Sequence, residues 1–198
     1  MAVKNDLSYI TKTTFQPDPN GGGAMAGMGM GTEPVEGDEG IMPTYFLFPS
    51  EGKYTIFVDF WLKNGEEVLV SAPFTAGSAA ASEEKPVPDR SLVQTSDMLQ
   101  ITLKPEQPLV AKQDVLLSFD IVDSAGNDRT NDIAVVSRNQ LQLEVVDEGL
   151  SMYYRPQLVD RQTMTFKANF PKPGIYKLWL NYMIPGIDQQ VGYTVEVK

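Results

Sequence analysis

The chain has no His and no Cys among its 198 residues. That excludes a Ser-His-Asp triad, a thiol nucleophile, a disulfide, a zinc finger, a blue-copper site and a 2-His-1-carboxylate iron site. Basic residues are scarce: 16 Lys and Arg stand against 26 Asp and Glu, for a net charge of -10. Binding to a phosphate backbone needs clustered cations, so no nucleic-acid partner is expected. No apolar run approaches the roughly 18–20 residues of a membrane-spanning helix. No stretch holds a convincing amphipathic helical period either.

Enzyme signatures are also lacking. There is no phosphate-binding loop and no nucleophile elbow, and Gly21–Gly23 lacks a strand-to-helix context. The adjacent carboxylates Asp147-Glu148 and Glu66-Glu67 would point to opposite faces of a strand, so they do not converge as an acid/base couple. No catalytic and no cofactor-binding residue is assigned, and no enzymatic activity is expected.

What the sequence does carry is alternation at period two, the mark of a half-buried strand. Tyr54, Ile56, Val58, Phe60 and Leu62 form one stripe; Tyr176, Leu178, Leu180, Tyr182 and Ile184 form another. Further strands are expected at 99–103, 115–122, 141–146, 164–170 and 191–197, most bounded by Gly, Pro, Asn or Asp. Apolar residues make up 42% of the chain, enough for a core. Short strands with regular turn signals predict an all-β, antiparallel sandwich architecture.

The chain also matches itself. Phe48-Pro49-Ser50-Glu51-Gly52-Lys53-Tyr54 lies against Phe170-Pro171-Lys172-Pro173-Gly174-Ile175-Tyr176, and Leu7-Ser8-Tyr9 lies against Leu150-Ser151-Met152. We therefore expect tandem modules: an incomplete one at 1–75 with a Gly- and Met-rich insertion at 17–41, a linker at 76–97, and a complete one at 98–198. Almost nothing precedes Leu7, whereas three strand candidates precede Leu150, so the first module is expected to lack its N-terminal strands. Either Met1 is an artificial or alternative start within a longer protein, or another chain donates those strands. Met1-Ala2-Val3-Lys4-Asn5-Asp6 has no signal-peptide pattern, so an export signal or membrane tether would lie in a segment upstream. The Ala, Ser and Pro content of the linker suits an exposed spacer stiffened at Pro86-Val87-Pro88.

The residues Asp123-Ser124-Ala125-Gly126, Leu141 to Val146, Leu150-Ser151-Met152-Tyr153 and Phe170 to Trp179 form a pattern in this order. In it the second copy resembles a family of secreted or periplasmic bacterial immunoglobulin-like sandwiches. Members often accompany copper-resistance and heavy-metal-handling proteins. The resemblance implies an immunoglobulin-like fold and an extracytoplasmic setting. It also shows a departure: the two histidines of the family pattern fall at Lys12 and Thr14 in the first copy, and at Arg155 and Gln157 in the second. None of these is a soft-metal ligand.

Candidate residues follow. Met25, Met28 and Met30, with Met42 nearby, supply thioethers that suit Cu(I), making a metal site in the insertion one expectation. Glu33, Glu36, Asp38 and Glu39 in the same insertion read as a solvated acidic loop. Asp123, Asn127, Asp128 and Asp132 are explained by turn chemistry. Tyr54 and Tyr176 are expected to bury their rings and bond their hydroxyls to nearby backbone. Three functional readings result: a non-catalytic structural or interaction module, a periplasmic Cu(I)-handling protein, and a carbohydrate-binding module stacking sugars on Trp61, Trp179, Tyr153 or Tyr154.

Overall fold

A computed structural model describes residues 1–12, 46–62, 64–78, 85–133, 141–184 and 187–198. The chain divides into two compact units, Met1–Ser82 and Glu83–Lys198. Among the described residues no helix is long and apolar enough to cross a membrane.

The first unit contains β1 (Ala2–Lys4), β2 (Ile10–Thr11), β3 (Gly52–Trp61) and β4 (Glu67–Ala76). They form one antiparallel sheet in the order β2-β1-β3-β4. A tight turn closes the β3–β4 hairpin: the Leu62 N–H donates to Glu66 O at 2.8 Å, and Gly65 adopts φ +84°.

Among the described residues the second unit contains nine strands. They are β5 (Val93–Ser96), β6 (Leu99–Pro105), β7 (Asp114–Asp123), β8 (Gln142–Asp147), β9 (Tyr153–Tyr154), β10 (Gln157–Asp160), β11 (Thr165–Asn169), β12 (Gly174–Ile184) and β13 (Ile187–Val197). One sheet runs β10-β11-β7-β6-β5 and the other runs β13-β12-β8-β9. Read from β6 onward, this is the D-E-B-A over G-F-C-C′ order of an immunoglobulin-like sandwich, with β5 added beside the A strand. Alternate residues of both sheets, such as Leu103, Leu117, Phe119, Phe166, Leu178 and Tyr193, turn inward and form one core. The Tyr193 hydroxyl also donates to Ile101 O at 2.9 Å, joining the two sheets.

The internal match of the sequence is also a match of geometry. β1, β2, β3 and β4 pair as β8, β9, β12 and β13 do. Lys4 faces Tyr54 in register, as Asp147 faces Tyr176. Leu7 and Leu150 both hold positive φ, +58° and +52°, and each donates its N–H three residues back, to Lys4 O and Asp147 O. Gly52 and Gly174 sit at φ +149° and +144°, a region where a Cβ is strained. The Tyr54 hydroxyl donates to Ser50 O at 2.9 Å and the Tyr176 hydroxyl to Lys172 O at 2.7 Å. This is a tyrosine corner in each copy.

Two expectations change. Strand Ala2–Lys4 precedes Leu7 and pairs with β3, because backbone hydrogen bonding continues where three residues are too few to show a period. Within the expected linker, Ala76 ends β4 and residues 93–96 form β5, hydrogen-bonded to β6. Leu92 packs on the core just before it. Among the described residues the first unit is a single sheet, so a two-sheet sandwich is seen in the second unit alone.

Candidate functional site

The two copies differ most in what lies against the shared four-stranded sheet. In the second unit the inward residues of β12 and β13 are buried against the five-stranded sheet. Among the described residues of the first unit the corresponding face is largely open. Register places Val58 opposite Val70, Ile56 opposite Ala72 and Tyr54 opposite Phe74, all on that face. Leu62 continues the same stripe at period two. Val58, Leu62, Val70 and Phe74 remain 38%, 43%, 49% and 41% exposed. Among the described residues they are four of the six large apolar side chains most exposed in this unit, so the exposure is a patch rather than scatter.

One end of the patch is closed. The Phe48 ring stacks on Phe74 at 4.8 Å and meets the Tyr54 edge at 4.7 Å, leaving Tyr54 fully buried. The open part runs from Phe74 along Val70 and Val58 to Leu62. The stripe itself is apolar; on the same face Lys4 of β1 lies beside Tyr54 and pairs with Asp6 at 3.3 Å, and Glu66 pairs through its backbone with Leu62 at the other end. Whole side chains contribute about 1.5–3 kcal/mol on burial. Covering the exposed remainder of these four would contribute roughly 3–5 kcal/mol.

The edge beside this face is handled differently. The Met1 N–H and C=O both pair with Phe57, and the Asn5 N–H pairs with Lys53 O. Odd-numbered residues of β3 therefore turn their backbone groups toward β1, and even-numbered ones toward β4. Thr55 and Pro73 then form a pair without mutual hydrogen bonds, and the Pro73 nitrogen points outward at the free edge of β4. Proline has no N–H to offer there. In the second unit the same place on β13 is Thr194. Its N–H donates to Asp89 Oδ2 at 2.8 Å, and its C=O accepts the Asp89 N–H at 2.8 Å.

The residues singled out by sequence are distributed as follows. Met25, Met28, Met30 and Met42 lie outside the described residues, as do Thr14, Glu33, Glu36, Asp38 and Glu39. Among the described residues no group of three or more His, Cys, Asp or Glu gathers as a metal site. Asp123 accepts the N–H groups of Ala125 and Asn127 at 2.9 Å each and the Asn127 amide, while Arg129 pairs with Asp123 and Asp132. That is the work of a turn. Arg155 stacks over Tyr153 at 5.4 Å and approaches the fully buried Glu144 at 3.7 Å. The Glu144 carboxylate also accepts from the Asn181 amide at 3.2 Å.

The sugar-stacking expectation needs correction at two positions. Trp179 is 3% exposed and Tyr153 is 5% exposed, so neither offers a ring face to a ligand. The reason is local: Trp179 faces Gly192 in register, and the absent side chain lets the indole lie down against β13. Tyr154 is half-buried; the backbone of Trp61 lies in β3, and its side chain is outside the described residues.

The open face itself was half legible. Val58 and Leu62 belong to the stripe read from sequence, but Val70 and Phe74 do not. Their strand reads Val68-Leu69-Val70-Ser71-Ala72-Pro73-Phe74, without alternation and with a proline. The usable signal was the proline itself, since proline inside a strand marks an edge.

The second unit is thus an immunoglobulin-like β-sandwich by its own strand order, joined in one chain to an open sheet of the same half-topology. The chain belongs to a family whose model, described as a domain of unknown function (DUF8832), matches residues 94–198. No curated protein matches the chain. Among solved structures it is similar to the solution structure of the PKD domain from human VPS10 domain-containing receptor SorCS2. Identity is 18%, the match covers 62% of this chain and 96% of that one, and the TM-score is 0.28.

Proposed function

We propose that this chain is a non-catalytic structural or interaction module. In this reading the second unit is a rigid sandwich, and the first unit presents a sheet whose open face receives a complementary β-sheet. That sheet belongs to a protein partner or to further strands of a longer chain. One observation carries the reading: among the described residues an apolar stripe of β3 and β4 stays exposed where its own repeat is covered by five strands. An extracytoplasmic setting, periplasmic or secreted, rests on the family resemblance alone.

The test uses the dye ANS, which reports accessible apolar surface. The chain should enhance ANS fluorescence. A Val70→Asp/Phe74→Asp variant with an unchanged far-UV circular dichroism spectrum should lose most of that signal. Equal dye binding by both proteins, or none by either, would refute the reading.

A further inference from the structure

The turn between β3 and β4 carries a chemically labile pair. Among the described residues Asn64 is the one asparagine followed by glycine, and both residues are exposed. Asn5, Asn127 and Asn131 precede Asp, while Asn169 and Asn181 precede Phe and Tyr. We infer that Asn64 is a modification site, where the folded chain spontaneously loses the side-chain amide nitrogen and gains aspartate and isoaspartate.

The reaction needs the Gly65 backbone nitrogen to reach Asn64 Cγ. Glycine has no Cβ to obstruct that approach. The space a Cβ would fill at Gly65 is open, with no atom within 4 Å. The carboxamide is held in place by its neighbour: Asn64 Oδ1 accepts the Glu66 N–H at 3.0 Å, and Nδ2 donates to Glu66 Oε2 at 3.3 Å. Negative charge develops on Oδ1 as Cγ is attacked, and the Glu66 N–H is aimed at that oxygen. One contact opposes the step. The Gly65 N–H donates to Leu62 O at 2.9 Å, and this bond must open first. It is a single exposed bond at a hairpin tip, where local opening costs little.

Solvent base removes the Gly65 N–H proton and the nitrogen bonds to Cγ. The Cγ–Nδ2 bond breaks, and the nitrogen leaves as ammonia with a proton from solvent. The product is a five-membered succinimide. Water opens it at Cγ to give aspartate, or at the backbone carbonyl to give isoaspartate. One water is consumed, one ammonia is released and nothing is oxidised or reduced. Either product loosens the turn. Aspartate sets an anionic oxygen where Nδ2 faced the Glu66 carboxylate, and like charges repel there. Isoaspartate routes the backbone through Cγ and lengthens the turn.

The test incubates the full chain in mildly alkaline buffer, folded and in urea, then cleaves after Glu and locates each site by tandem mass spectrometry. In the folded chain the 52–66 peptide should gain the mass of exchanging NH for O, and isoaspartyl methyltransferase should label part of it. Conversion should be slower than in urea, because the bond to Leu62 O must open, and should rise with pH. Asn5, Asn127, Asn131, Asn169 and Asn181 should stay intact in the folded chain. Asn20, which precedes Gly21 outside the described residues, is scored as a separate site. Gly65→Ala should lose the conversion, because its Cβ crowds the attacking nitrogen. An Asn64 that stays intact in the folded chain while converting in urea overturns the proposal. Equal conversion at the other five asparagines, or an unchanged rate in Gly65→Ala, overturns it as well.

Discussion

Asp147 offers the sharpest test of how the second unit is held together. Its side chain, 2% exposed, ends β8 and accepts the Ser151 N–H at 2.8 Å, the Ser151 hydroxyl at 2.6 Å and the Met152 N–H at 2.8 Å. The Lys172 ammonium adds an ion pair at 2.8 Å. Burial alone would raise the pKa of this carboxyl. The hydrogen bonds from Lys172, Ser151 and Met152 outweigh burial and hold it below the ordinary carboxylate range.

Asp147→Ala removes the acceptor and leaves two backbone donors unmatched, each costing about 1–3 kcal/mol. We expect a total loss of about 3 kcal/mol, which lowers Tm by roughly 12 °C for a unit of this size. Asp147→Asn keeps the shape and loses the charge, so about half that loss is expected. The pH dependence has a definite sign. An Asp whose folded pKa is depressed adds stability above its unfolded pKa of about 3.9 and loses it as pH falls through the folded value. Thermal melts of the chain and of Asp147→Asn should therefore differ at pH 7 and converge below about pH 4. A gap that stays constant down to pH 2.5 would falsify the charge-based account.

Three further outcomes follow from the repeat. Tyr176→Phe and Tyr54→Phe should each cost about 1 kcal/mol in urea unfolding, the net value of one hydrogen bond; no loss in either would deny the tyrosine corners their role. Gly174→Ala places a Cβ at φ +144° and should cost about 1–3 kcal/mol, with an unchanged unfolding midpoint counting against the backbone argument. Pro73→Thr restores an edge donor on β4, and light scattering should detect larger assemblies at high concentration; unaltered scattering would show that the proline does not guard the edge.

The sequence discloses the parts of this fold that repeat or alternate. β3, β7, β12 and β13 are long and pleated, with apolar residues at most alternate places, so period two is visible over many residues. The strands it hides are short or atypical. β1, β2 and β9 have two or three residues each, and their pairing is dictated by neighbours rather than by local pattern. β5 is Val93-Gln94-Thr95-Ser96, polar enough to pass for a linker, and is a strand because the edge of β6 accepts it. The charge swap between copies is equally hard to foresee. Lys4 stands where Asp147 stands, and the Ser8 N–H and hydroxyl, counterparts of those of Ser151, donate instead to Asp6. The tight loop is the common element, and either side of it can carry the carboxylate.

The two edges show why face and edge should be considered separately. A free strand edge invites growth, because any extended backbone can pair with it and the process need not close. The second unit closes its edge at Thr194 with Asp89, a residue of the same chain that supplies both a donor and an acceptor. The first unit has Pro73 at the equivalent place and leaves no donor to satisfy there. Its edge is thus blunted without a partner, while its face, as seen from Val58, Leu62, Val70 and Phe74, is not covered. A sheet blunted at its edge offers a partner its face rather than a row of backbone donors. The same logic ranks the variants. Charge on the face should lower ANS binding, whereas a donor restored at the edge should leave that binding unchanged and instead allow open-ended growth.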